Sequence, residues 1–467
     1  MEQRTKRDSA LISLVSEFEA NFENGNIEYL NEKSFFQLIR YYEDDREHEK
    51  ALDVAKLALE QYRYRSDFYI VLCRLYLKLN KIEDCLRNLE VAESIAPYEN
   101  EIIILKVRAL ALSGEYDLAF NELEGLKSVS LKGDLVEVYL CEAEIYAEMS
   151  SHDQMFECLK QALELDPLNL EALEKIWIAT ELSKQYIECA GYMSFLIDKN
   201  PYNYYAWYNL GHSLSFSGEY EKAIDAIEYS FIINPDFEEG YMECADLCCQ
   251  IKDFGKALKV YNEAIEYFGE DNDLLINISE CQMYLNKTAE CKNNLYKAVK
   301  QDPYNDEIYY YLAECYSKEE KWYSAINAYH KAIEIEDSCG EYYIGLARAY
   351  VAVEDYNKAT INFHLSVSDG TEQTHFWREF ASFLLKLGLY EESLQILDEA
   401  EEYTFGADLL YCRAMVNFFL KNKKLGLEIL EEALVEDFSL HTIIFTLAPE
   451  LEVDKEISSM IQYFAGE

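Results

Sequence analysis

The chain has 467 residues, 88 of them acidic and 42 basic, for a formal net charge of −46. Nucleic acid is bound by clustered Lys and Arg that neutralise phosphate, and an anionic membrane surface asks for the same, so neither is an expected partner. Half of the residues are hydrophobic, yet no stretch approaches the ~20 apolar residues of a membrane span.

The first twenty residues carry Arg4, Lys6 and Arg7 but no apolar signal core, and Glu17 and Glu19 interrupt them, which argues against secretion. Asp8 to Phe22 sets Leu11, Leu14, Val15 and Phe18 on one helical face. Residues 1–31 are expected to cap the open apolar end of the first repeat.

From Glu32 onward one pattern recurs with a spacing of 34 residues. Its clearest copy runs from Pro201 to Pro235. Trp207, Leu210, Gly211 and Leu214 share one stripe of a first helix, and Ala223, Ile227 and Ser230 share one stripe of a second. Gly211 and Ala223 are small where the two helices approach, Gly218 supplies the turn, and Pro235 blocks continuation. With Tyr204 as position 1, position 20 reads Ala223, Ala257, Cys291, Ala325, Ala359 and Ser393 downstream, and Cys189 and Met155 upstream. A two-residue insertion in Lys127–Asp134 resets the phase, after which Ala119, Cys85 and Ala51 follow. Five of the six prolines fall on position 32: Pro97, Pro167, Pro201, Pro235 and Pro303. Twelve repeats result, beginning near Glu32, Ser66, Asn100, Val136, Leu170, Tyr204, Glu238, Asn272, Asp306, Gly340, Thr374 and Ala407.

Trp207, Leu210, Gly211, Leu214, Ala223, Ile227, Ser230 and Pro235 follow the W-x2-L-G-x2-Y…A-x3-F…A…P pattern, as do Tyr309, Leu312, Ala313, Tyr316, Ala325, Tyr329 and Ala332. The chain therefore resembles the tetratricopeptide repeat family over about residues 32–440. The resemblance implies an all-α fold, a right-handed superhelical solenoid of stacked helical hairpins making more than one full turn. It implies no particular function, because repeat scaffolds host many roles.

Repeat 5 is the least regular copy. Trp177 stands at position 8, where small residues are usual, Leu196 at position 27, and Met155 just upstream at position 20. Bulk there either pushes the helices apart or is compensated by shrinkage nearby. Beyond repeat 12, Ile443–Leu447 and Ile457–Phe464, split by Pro449, read as a degenerate closing helix pair over residues 441–467. The thirteen cysteines fall mostly on positions that want a small apolar residue, such as Cys73, Cys85, Cys189 and Cys291. Their odd number, set by repeat phase rather than by pairing, fits a reducing cytoplasm.

Chemistry, if any, must lie on the inner surface. Positions 2, 5, 9 and 12 share a stripe of the first helix distinct from the core stripe. In tetratricopeptide proteins that stripe lines the concave groove and grips ligands. Position 9 opens with Arg40, Arg74 and Arg108, beside Phe36, Ile70 and Ile104 at position 5. These six form the expected peptide-binding row, because the planar fork of Arg binds both oxygens of a carboxylate. The alternative is that the arginines pair internally, Arg40 with Glu43 or Asp44 for example. One mode of the family clamps terminal carboxylates of heat-shock chaperones through Lys at position 5 and Asn at position 9 of a first repeat; Phe36 and Arg40 stand there instead. A second candidate is the aromatic patch Tyr205, Tyr208, His212 and Phe216 in repeat 6.

Nothing in the chain spells a catalytic residue, a cofactor-binding loop or a nucleophile elbow. Cys244, Cys248 and Cys249 cluster without a histidine at zinc-ligand spacing, so no metal is expected. The expected function is a cytoplasmic, non-enzymatic scaffold holding an extended or helical segment of a partner protein in its groove, with no small-molecule substrate. The alternative is an enzyme or regulatory module with an unrecognised site in that groove.

Overall fold

The computed structural model describes residues 2–23, 29–129, 132–368 and 370–466. Among them are 27 α-helices, two short 3-10 turns (Phe438–Leu440 and Pro449–Val453) and no strand. The architecture is an all-α helical-repeat solenoid. Residues 130 and 131, within the expected insertion, lie outside the described residues, as do the side chains of Arg4, Lys6 and Arg7.

The chain divides into two compact units, Met1–Glu243 and Cys244–Glu467, parting inside the helix Glu238–Gln250. In a stack where each hairpin touches only its neighbours, compact subdivisions are runs of consecutive hairpins.

The first unit opens with helix Glu2–Glu23, whose Val15 is buried against repeat 1 with Leu11, Leu14 and Phe18 packed alongside. Six hairpins follow: Glu32–Asp44 with His48–Gln61, Ser66–Lys78 with Ile82–Ile95, Asn100–Leu112 with Tyr116–Val129, Lys132–Glu148 with His152–Leu165, Leu170–Ser183 with Tyr186–Lys199, and Tyr204–Phe216 with Tyr220–Ile233. Five of these first helices begin where the period places them. The fourth begins at Lys132, four residues before Val136.

The second unit continues with Phe254–Phe268, then Asn272–Tyr284 with Thr288–Gln301, Asp306–Lys318 with Trp322–Ile335, Gly340–Ala352 with Tyr356–Val367, Thr374–Lys386 with Tyr390–Ala400, and Ala407–Phe419 with Lys423–Glu436. It ends in the short helices Thr442–Leu447 and Lys455–Ala465, which bury Ile444 and Ile457 completely.

Three local devices make the hairpins. Side chains of Asn31, Asn169, Asn203, Asp271 and Asn305 cap first helices by accepting from the backbone N–H three residues on. Aromatics at position 4 then tie the helix start to the preceding loop: Trp207 Nε1 donates to the Pro201 carbonyl at 2.9 Å, Trp377 Nε1 to Thr371 at 2.8 Å, and the Tyr309 hydroxyl to Pro303 at 3.2 Å. Position 15, which closes the turn between the two helices, has positive φ in every repeat: Arg46, Asn80, Gly114, Ser150, Lys184, Gly218, Lys252, Asn286, Glu320, Glu354, Gly388 and Lys421.

The core runs between the helices. Position 20 is sealed at Ala51, Cys85, Ala119, Cys189, Ala223, Ala257, Cys291, Ala325 and Ala359, all 0% exposed. All thirteen cysteines are free thiols, and among the described residues no cluster of three His, Cys, Asp or Glu could hold a metal ion.

Candidate functional site

The arginine row is occupied from within the chain. Arg40 is held by Asp44 one turn on, Nε to Oδ2 3.9 Å, with its side chain 85% exposed. Arg74 pairs with Glu101 of the next repeat. Arg108 forks onto Glu144 of the repeat after its own, Nε to Oε2 2.8 Å and Nη2 to Oε1 3.3 Å. Lys175 joins the same carboxylate at 2.7 Å and also reaches Glu171 at 2.7 Å. Burial opposes the charge on Arg108, but Glu144 outweighs it and raises the guanidinium pKa. Burial would raise Glu144 as well, yet Arg108 and Lys175 hold it below the usual carboxylate range. The last pair is an inter-repeat strap, whereas the exposed pairs of Arg40 and Arg74 contribute little each.

The apolar row beside the arginines is not presented to a ligand, which corrects the expectation from helical spacing. Ile70 and Ile104 are buried. Phe36 lies face to face with Phe68 of the next repeat, centroids 4.6 Å apart. Position 5 is covered because the following first helix packs over it. Arg108 does border a cleft of about 490 Å3, but the other charged groups there are Glu137, Asp166 and Glu171, so the cleft does not favour an acidic segment.

The aromatic patch of repeat 6 is larger than its four residues. Trp177 of repeat 5 stacks on His212 at 4.7 Å and leans on Phe216 at 5.6 Å. Tyr186, at the start of the second helix of repeat 5, stacks on Phe216 at 4.9 Å and 15°. Tyr208 meets His212 edge-on at 4.4 Å and Phe237 at 4.9 Å, and Tyr205 packs on Tyr208 at 5.6 Å. This base carries three exposed apolar side chains: Phe216 at 53%, and Ile178 at 49% and Leu182 at 55%, one turn apart on the first helix of repeat 5. Ile178 and His212 hold position 9 of consecutive repeats, and Leu182 and Phe216 hold position 13.

Hydrogen bonds tie the base to the neighbouring helices. Asn209 donates to the Leu173 carbonyl at 2.7 Å, strapping repeat 6 to repeat 5, and Asn203, at the N-cap of repeat 6, donates to the Pro167 carbonyl in the loop before repeat 5 at 2.9 Å. Burial pushes the His212 imidazole down to about 4, so the ring is neutral near pH 7. Its Nδ1 is 3.7 Å from Glu243 Oε1, beyond good hydrogen-bonding range. Burial, aided by Glu174 and Glu239, raises Tyr205 to about 12, and burial raises Tyr208 further. None of these groups is poised to exchange a proton near neutral pH.

Sequence reasoning named the four repeat 6 aromatics but placed Trp177 in the core. The indole instead lies half-exposed, 6.4 Å from Tyr186 across its own hairpin. The helices of repeat 5 approach each other at few places, whereas those of repeat 6 are in close contact along their length. The available signal was the bulk of Trp177 at position 8.

Two family models described as tetratricopeptide repeat match residues 136–167 and 196–225. The chain is 25% identical over 201 residues to the human protein O-mannosyl-transferase TMTC1, covering 42% of this chain and 22% of that protein. It is 24% identical over 242 residues to the Hsp70-Hsp90 organizing protein 1 of Glycine max, covering 49% of this chain and 41% of that protein. The chain thus spans less than half the length of either relative. Among solved structures, yeast Tom70 aligns at 14% identity and a TM-score of 0.39, covering 98% of this chain and 99% of that one. The Cut9-Hcn1 assembly aligns at 13% identity and 0.39, covering 92% and 94%.

Proposed function

The chain is a tetratricopeptide-repeat protein, and we propose that it is a non-enzymatic scaffold that binds a segment of a partner protein on the first-helix face of its repeats, anchored on the aromatic ledge of repeats 5 and 6. One observation carries this reading. Ile178, Leu182 and Phe216 are each about half exposed on adjacent helices, beside the stacked rings of Trp177, His212 and Tyr186. Apolar side chains held at exposed, adjacent positions mark interaction sites, and anchors on rigid aromatic bases carry most of an interface's energy. The name of the soybean relative, an organizing protein for two others, is in keeping with a scaffold. The match to the mannosyl-transferase covers too little of that protein for its activity to be transferred.

In this reading Arg74 and Arg108 pair between repeats, Arg40 pairs within its own helix, and none of the three anchors the partner. The partner segment contributes apolar side chains spaced to meet Ile178 and Phe216, whose helices pack roughly 8–10 Å apart. The test is selection of displayed random peptides on the whole chain, followed by affinity measurement on the I178D/F216D double variant. We expect selected peptides to share an apolar anchor and to lose at least tenfold in affinity on the variant, with its circular dichroism unchanged. Equal binding to both proteins, or no peptide above background, sinks the reading.

A further inference from the structure

The second unit holds a cationic cavity in a strongly acidic chain. It is about 530 Å3 and lies among the first helices Gly340–Ala352 and Thr374–Lys386, the second helix Tyr356–Val367 and the short C-terminal helix Thr442–Leu447. Three basic side chains line it, Arg348, Arg378 and Lys386, against one carboxylate, Glu379. Its apolar side includes Phe383, Ile443 and Leu447. Acids outnumber bases two to one over the whole chain, so this local inversion is informative.

The three cations differ in how far they are satisfied. Arg348 is committed, forking onto Glu379 with Nε to Oε2 2.7 Å and Nη2 to Oε1 2.5 Å. Arg378 has a single long contact, Nη1 to Oδ2 of Asp408 at 3.5 Å, which leaves most of its fork unused. Lys386 is exposed and has no hydrogen bond or ion pair among the described residues. Arg378 and Lys386 lie eight residues apart on one helix, about 12 Å along its axis.

We propose that this cavity binds a segment of a partner protein that carries two carboxylates on either side of an apolar side chain. The free donors of Arg378 and Lys386 each take a carboxylate, and Phe383, Ile443 and Leu447 receive the apolar group between them. An extended chain advances ~3.3 Å per residue, so acidic residues three or four positions apart span the two cations. A fatty acid offers one carboxylate and leaves the other cation unmatched, so the second free cation is the argument for a peptide. This site is separate from the aromatic ledge and does not depend on it.

The probe is a fluorescein-labelled, terminally blocked peptide with the core Glu-Leu-Phe-Glu, titrated into the whole chain by fluorescence polarisation at 0.1 M salt. We expect saturable binding that weakens at least tenfold in R378Q/K386Q and several-fold in K386E alone. Lys386 makes no hydrogen bond or ion pair among the described residues, so the single variant retains a folded cavity even if loss of Arg378 disturbs Asp408. Replacing both peptide Glu by Gln should weaken binding equally, and 0.5 M salt should weaken it further. I178D/F216D should bind as wild type. The proposal is overturned if K386E and R378Q/K386Q bind as wild type, if the Gln peptide binds as tightly, or if I178D/F216D loses binding. It also falls if decanoate displaces the peptide at lower concentration than unlabelled peptide does, which would mark a lipid site.

Discussion

Repeats 5 and 6 are consecutive copies of one pattern and differ most at position 8, Trp177 in one and Gly211 in the other. In repeat 6 the two helices close on each other so tightly that a Cβ on Gly211 would lie 2.2 Å from Ile227 Cγ1 and 3.0 Å from the Ala223 carbonyl oxygen. In repeat 5 the two helices approach each other at few places, and the indole lays its face on His212 and leans on Phe216 of the next repeat. One side chain thus decides whether a position belongs to the core of its own hairpin or to the surface of its neighbour. The exposed ledge exists because repeat 5 gives up close packing that repeat 6 keeps.

The strongest way to break that contrast is to give repeat 6 the residue of repeat 5. In Gly211→Trp the indole must displace Ile227 and press against backbone at Ala223, which cannot yield as a flexible side chain does. Overpacking of this kind costs about 3 kcal/mol. Hydrogen exchange should show the second helix Tyr220–Ile233 losing protection while the second unit keeps its own. Gly211→Ala should cost less, about 1–2 kcal/mol. A Gly211→Trp protein as protected as wild type would mean that the close approach is not required.

This contrast also marks where the sequence was readable. The period, the phase of eleven first helices, and the need for a small residue at 211 were all visible, since each follows from helical spacing and side-chain size. The arginine row was visible as a row, with Asp44 as a possible partner of Arg40, but Glu101 and Glu144 were not. Asp44 is four residues from Arg40, whereas Glu101 and Glu144 are 27 and 36 residues from theirs. The burial of Ile70 and Ile104 was missed because a stripe drawn on one helix ignores the helix stacked over it. The contact of Trp177 with the next repeat was missed because its position number assumes the close helix spacing that repeat 5 lacks.

A second prediction sharpens the contrast through His212, which Trp177 covers from one side and Tyr208 from the other. Burial lowers the folded pKa to about 4 from the usual 6.5. Below pH 6.5 the unfolded chain takes up a proton that the folded chain refuses, so stability falls as pH drops and is unaffected by this group above that value. The loss between pH 7 and pH 5 is about 2 kcal/mol. An imidazole titration followed by NMR should have its midpoint near 4 in the wild type. Trp177→Ala uncovers the ring, so the midpoint should move toward 6.5 and the acid sensitivity of the first unit should shrink. A wild-type midpoint already near 6.5 would show that the ledge is wet.

The smallest expected effect concerns a position where the two repeats agree in conformation and differ only in residue. Position 15 is Lys184 at φ 58° in repeat 5 and Gly218 at φ 80° in repeat 6. The left-handed region costs a residue with a Cβ roughly 1–2 kcal/mol, while glycine loses about 0.5–1 kcal/mol more entropy on folding than alanine. The two terms oppose, and the steric one is larger. Lys184→Gly should therefore stabilise repeat 5 by about 0.5 kcal/mol, and Gly218→Ala should destabilise repeat 6 by about the same or slightly more. Lys184 makes no ion pair or hydrogen bond through its side chain among the described residues, so nothing else is lost in the exchange. The check is the urea midpoint of each single variant and of the double variant. Opposite signs that cancel in the double variant are expected. If both substitutions destabilise, the entropy of glycine outweighs the Cβ clash at this turn. In that case the nine repeats with a side chain at position 15 are built no worse than the three with glycine.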